Sequence, residues 1–139
     1  MATSFSIDRM KSVAGLAPSA HTATTEVDAA AVDRTGFNTL FVLVDAGIST
    51  GNTLTLKAYD GATSSPATAV TLTSTPAVIT NTAATQTLYQ FDLSGFNKYF
   101  KMSITPSTAT SVIFGVEYLL ADANIDPASG TAITPLAKA

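Results

Sequence analysis

The chain contains no cysteine and no tryptophan, a single histidine, and charged residues at only 12% of its length. Each shortage excludes something. Without cysteine there is no disulfide and no thiolate metal centre. One imidazole, His21, excludes a histidine-rich metal site. The charged share is about half that of an ordinary soluble domain. The seven basic residues (Arg9, Lys11, Arg34, Lys57, Lys98, Lys101 and Lys138) are scattered through a chain of net charge -3. That is too little positive charge to neutralise a run of phosphates, so nucleic acid is not an expected partner. So thin a charged surface suggests that protein partners cover part of the exterior. Nor is there a long apolar run. The charge-free stretch from Gly61 to Phe91 is interrupted throughout by Ser, Thr, Asn, Gln and Pro. It could not hide its polar groups in lipid, so a membrane is not expected either. Residues Met1 to Arg9 show no basic region followed by an apolar stretch, so a secretory signal is not expected and synthesis in a cytoplasm is.

What the chain does contain favours strands. It has 139 residues, 46% of them hydrophobic, which suits one domain with one core. Thr and Val are abundant, and β-branched side chains fit a pleated, half-buried surface. Strand signals recur from His21 onward. His21 to Val27 is the weakest. Phe37 to Asp45 is the strongest, and it is apolar on both parities: Phe37, Phe41 and Leu43 alternate with Leu40, Val42 and Val44. Such a strand needs a cover on each face, one from the core and one from an arm or another subunit. Asn52 to Asp60 alternates cleanly, with Leu54, Leu56 and Ala58 on one side. Ala69 to Thr73 and Ala77 to Thr80 are short candidates. Thr87 to Leu93, Tyr99 to Thr105 and Ser111 to Leu120 follow, with Phe91, Phe100, Met102, Phe114 and Val116 inward and Lys101, Ser103 and Glu117 outward. Ala29 to Arg34 could form one helical turn.

Turn-forming residues separate these segments at Gly47 to Gly51, Gly61 to Pro66, Ser94-Gly95 and Pro106 to Thr110. The pattern predicts an all-β fold: an antiparallel β-sandwich, jelly-roll-like or a related barrel. The expected organisation is an N-terminal arm over 1–20, a sandwich over 21–122 and a C-terminal arm over 123–139. Both ends carry breakers and widely spaced apolar residues. An interface is therefore expected from Phe5, Ile7 and Met10 in the first arm, Ile133 and Leu136 in the second, and Phe37, Phe41 and Leu43 on the doubly apolar strand.

No catalytic constellation emerges. Gly47-Ile48-Ser49-Thr50-Gly51 matches G-x-S-x-G, but a nucleophile elbow needs strand-turn-helix and a histidine later in the chain. Here His21 lies upstream, and a hairpin loop is the plainer reading. Asp122, Asn124 and Asp126 have the opening spacing of a calcium loop. Pro127 and Ile133 then stand where glycine and a bidentate glutamate belong, which favours an Asx-rich turn. Asp33-Arg34-Thr35-Gly36 reads as a salt-bridged turn more readily than as a recognition loop. Asp45, Asp60 and Asp92 are dispersed at strand ends. Most Phe and Tyr residues fall on inward parities, which leaves few platforms for sugar. No enzyme activity, cofactor or metal is expected.

The remaining features form a combination. Asp33-Arg34-Thr35-Gly36 leads into the Phe37 to Asp45 strand, which ends in Ala46-Gly47. Asn52 to Asp60 and a Thr/Ala-rich stretch follow. Then come Phe91-Asp92-Leu93-Ser94-Gly95-Phe96-Asn97-Lys98-Tyr99-Phe100-Lys101-Met102 and Val112 to Ala121, running into Asp126-Pro127. Over roughly residues 22 to 127 this resembles the small β-sandwich decoration, or cement, proteins of tailed bacteriophages. The resemblance implies a structural virion protein on the capsid exterior, made in the host cytoplasm. It would clamp the major capsid protein and reinforce the shell, commonly as a homotrimer with docking arms. The alternatives are another phage virion module (tail tube, spike or fibre domain) and a carbohydrate-binding or adhesion sandwich.

Overall fold

The computed structural model describes residues 10–49, 51–70, 78–80 and 84–123. Ten strands follow one another, with no helix among the described residues: β1 (Lys11–His21), β2 (Val27–Asp28), β3 (Val32–Asp33), β4 (Phe37–Ala46), β5 (Thr53–Gly61), β6 (Thr68–Val70), β7 (Val78–Thr80), β8 (Thr85–Asp92), β9 (Tyr99–Pro106) and β10 (Val112–Ala123). They form two antiparallel sheets. One has the order β1-β10-β4-β8; the other has β2 and β3 end to end along β9, then β5, then β6 and β7 along β5. If β2 with β3, and β6 with β7, are each taken as one interrupted strand, the two sheets have four strands apiece. The chain alternates between sheets, and its first strand lies beside its last. That is jelly-roll wiring, and it settles the expected sandwich in favour of two packed sheets over a closed barrel.

The core lies between the sheets and follows the period-2 alternation of the sequence. Leu40, Val42 and Val44 from β4, and Phe114, Val116 and Tyr118 from β10, meet Leu54 and Leu56 from β5 and Phe100, Met102 and Ile104 from β9. Phe100 anchors an aromatic group, 4.8 Å from Phe91 and edge-on to Tyr118 at 6.3 Å. Phe91, expected inside, is only partly buried at the margin. At the centre of the sandwich the Met102 N–H of one sheet donates to the Tyr118 hydroxyl of the other at 3.0 Å. β2 and β3 stand out of register along β9, because Asp28 faces Ser103 but Val32 faces Phe100. The Met102 N–H lies opposite that break, and a phenol from the other sheet satisfies it.

Several expectations need correction. Residues 11–20, read as arm, are strand β1 of the sandwich, paired antiparallel with β10. Their breakers, Gly15 and Pro18, hid the strand from period counting. On a sheet edge they are tolerated, because proline there loses no ladder bond, and β1 shifts register on both sides of Leu16. Gly15 is required by proximity: a Cβ there would lie 2.7 Å from the Tyr118 ring. His21 and Val27 end one strand and begin the next, so the weak candidate over 21–27 is mostly a connection. Ala29 to Arg34 contains β3, not a helical turn. Gly47 to Gly51 is no hairpin turn, since the strands it joins, β4 and β5, belong to opposite sheets.

Candidate docking face

On the outer side of the β1-β10-β4-β8 sheet, cross-strand register assembles the side chains that alternation turns away from the core. One row runs Ser12, Leu119, Phe41, Gln90; the next runs Ala14, Glu117, Leu43, Leu88. Met10, Phe41, Leu43, Leu88 and Leu119 thereby line an apolar groove of about 430 Å³, together with Ser12 and Glu117. Leu88 is the most open of them at 57% exposure. Scattered surface leucines need no explanation, but a contiguous apolar groove on a sheet face does.

The structure brings together three of the expected interface residues, Met10, Phe41 and Leu43, and separates a fourth. Phe37 is 2% exposed inside its own core. Asn38 and Thr39 both sit outside the core, so the pleat is broken there and Phe37 turns inward. Asn38 donates instead to the Asp122 carboxylate at 3.2 Å, where β10 adopts a left-handed residue (φ 54°). Phe5, Ile7, Ile133 and Leu136 lie outside the described residues, as do Asn124 and Asp126 of the tested calcium pattern. Leu88 and Leu119 were missed from sequence. Leu88 had a signal, since it stands on the parity opposite Tyr89 and Phe91. Leu119 stands opposite Val116, Tyr118 and Leu120 in the same way.

The other tested groups serve structure. Asp33 accepts from the Thr35 N–H (2.9 Å) and hydroxyl (2.6 Å) and pairs with Lys98 at 3.5 Å. Partial burial pushes its carboxyl up, but these bonds outweigh that and hold it below the usual range. Arg34 donates through Nε to the Asn97 carbonyl at 2.9 Å and through Nη2 to the Phe96 carbonyl. Asp60 accepts from Asn97 twice, at 2.9 and 3.0 Å. The 94–98 loop is thus clamped from two sides, which makes Asp33-Arg34 part of a turn and not a recognition loop. Ser103, expected outside, is buried, and its hydroxyl donates to Asp28 at 2.5 Å. Lys101 reaches the same carboxylate at 2.6 Å, and that bond chiefly lowers the Asp28 pKa. His21 stacks on Phe114 at 4.1 Å and bonds Ser19. No cluster of three potential metal ligands occurs among the described residues.

Comparison with known proteins gives fold without family. No family model matches the sequence, and no curated protein matches it either. Solved structures share this fold, among them these two. The PBSX exported protein XepA superposes with a TM-score of 0.52 at 18% identity, over 96% of this chain and 44% of XepA. A chain of infectious bursal disease virus, Gx strain, gives a TM-score of 0.52 at 16% identity, over 81% of this chain and 32% of its own length. The chain therefore spans less than half of either neighbour.

Proposed function

We propose that this chain is a structural virion protein that binds the outer surface of a phage capsid and stabilises contacts between major capsid subunits. The observation that carries the reading is the apolar groove of Met10, Phe41, Leu43, Leu88 and Leu119 on the outer face of a jelly-roll sheet. A sandwich that buries a full core between its sheets has no internal need for a second apolar face, so the face is a docking surface. Polar side chains stand among the apolar ones, Glu117 opposite Leu43 and Gln90 opposite Phe41, and protein interfaces likewise combine apolar contact with polar groups. The fold shared with a PBSX product and a virus-derived chain supports the virion setting. On this reading the protein works by attachment, with the major capsid protein as partner and no catalytic step.

Leu43→Asp tests the face. Leu43 is outside the core, so the variant should melt close to wild type and yet be lost from particles that retain the wild-type chain. Retention equal to wild type, with unchanged resistance of the particles to heat, would overturn the docking role of this face. Removing 1–9 tests the N-terminal arm without cutting β1, which a longer deletion would do.

A second reading has one observation in its favour. The chain spans 44% of one neighbour and 32% of the other, as a module of a longer virion or exported protein would. Copy number per particle separates the two. A decoration protein approaches the stoichiometry of the major capsid protein, whereas a tail, spike or fibre module is far rarer.

A further inference from the structure

We propose that the free edge of β8 pairs two copies of this chain about a two-fold axis through Leu88, joining their β1-β10-β4-β8 sheets into one eight-stranded sheet. The argument starts from the direction of the backbone groups. Gly47 N–H donates to the Ile113 carbonyl at 2.7 Å, in register with the β4–β10 ladder, so odd-numbered residues of β4 bond towards β10 and even-numbered ones towards β8. Leu93 N–H donates to the Asn38 carbonyl at 2.8 Å in register with the β4–β8 ladder, which agrees. The odd-numbered residues of β8 therefore spend their bonds on β4. Gln86, Leu88, Gln90 and Asp92 aim N–H and C=O at the opposite edge, where no strand pairs among the described residues.

Among the described residues the other sheet edges are defended against such pairing, and this one is not. β1 carries Pro18, two register shifts and a Gly15 carbonyl taken by the Ala30 N–H at 2.7 Å. Among the described residues β2, β3, β6 and β7 are two or three residues long. Short strands, proline, bulges and lysine are the usual devices that blunt an edge. β8 runs eight residues, TLYQ at its centre, with no proline, glycine or lysine.

A second copy fits because the strand complements itself. Gln86, Leu88 and Gln90 share the outer face. Only registers that keep like faces together are allowed, and in the one centred on Leu88 each Leu88 opposes its counterpart and each Gln86 opposes a Gln90. Asp92 then opposes the exposed Ala84 and no second carboxylate, so the pairing sets no like charges against each other. The same operation brings the two apolar grooves side by side across the axis. The proposal does not depend on the virion reading, and its two-fold geometry differs from the homotrimer that the resemblance implies.

The test uses the whole chain in isolation, over a concentration range up to about 0.5 mM, by light scattering on a sizing column and by hydrogen exchange. A mass of twice 14.3 kDa is expected, with concentration-dependent protection of the Gln86, Leu88 and Gln90 amides. Because the natural chain has no cysteine, L88C reports the axis directly. Opposed residues at a hydrogen-bonded position have Cα atoms about 5.5 Å apart. A short bismaleimide should therefore link L88C to itself and fail with V78C, which is exposed on the other sheet. Leu88→Lys sets two ammonium groups against each other and should shift the mass to monomer while the melting temperature holds. The inference is overturned by a wild-type chain monomeric across the range. It is equally overturned by an oligomer in which L88C does not link and those three amides exchange unprotected. A strand from a different protein occupying this edge would show itself as the first of these outcomes.

Discussion

Tyr118→Phe removes one oxygen from the centre of the sandwich and leaves the Met102 N–H without its partner. Both residues are fully buried, and water cannot replace the phenol without opening the sheets. Leaving a buried donor unsatisfied costs about 1–3 kcal/mol. The apolar ring is conserved in the variant, so no cavity contribution adds to this. For a domain of this size, each kcal/mol corresponds to roughly 3–5 °C in melting temperature. The expected loss is thus about 3–15 °C by calorimetry, with faster exchange at the Met102 amide than at its neighbours in β9. The variant should also be less sensitive to alkali. Burial pushes the Tyr118 phenol above the ordinary tyrosine range, with the Met102 N–H pulling weakly the other way. A folded-state pKa raised above the unfolded one means stability that is complete below about pH 10 and is lost as pH rises beyond it. Wild type should therefore weaken steadily above about pH 10. Tyr118→Phe should show a shallower slope, the remainder coming from Tyr59 and Tyr89, whose phenols are also raised. A variant that melts with wild type and keeps the Met102 amide slow would refute the bond between the sheets. An alkaline slope identical to wild type would refute the linkage.

Three further outcomes follow from packing and polar contacts. Phe114→Ala, at a fully buried position, should cost about 3–5 kcal/mol, and an unchanged urea midpoint would remove Phe114 from the core. Asn52 is buried, its Oδ1 accepting from Ser107 and Thr108 and its Nδ2 donating to the Thr108 and Thr110 carbonyls. Asn52→Ala should cost about 2–3 kcal/mol and loosen 107–110 in hydrogen exchange, and wild-type protection there would count against the clamp. Excess chelator should leave the melting temperature unchanged, whereas a drop of several degrees would reveal a bound cation involving Asp122 and residues beyond it.

Sequence alone determined the sheet content and most of the core, because alternation is a local property. Leu54 and Leu56, Phe100 and Met102, and Phe114 and Val116 each sit two residues apart, and the pleat turns both members of a pair the same way whatever the fold around them. The apolar second parity of β4 likewise marked Phe41 and Leu43 as needing an outside cover. Position in the sheet was a different matter. β1 was illegible because an edge strand tolerates Gly15, Pro18 and register shifts that erase its period. Phe37 was misplaced because a break in the pleat at Asn38 and Thr39 depends on the contact with Asp122, 84 residues away. The assignment of β4 and β5 to opposite sheets reinterprets the Gly47 to Gly51 loop, and turn residues do not encode that choice. The docking face was beyond sequence for the same reason. Leu88, Leu119 and Leu43 come from three strands far apart in the chain, and only the antiparallel registers of β4 with β10 and β8 set them side by side. Tertiary pairing decides which outward side chains become neighbours, whereas local period decides only that they point outward.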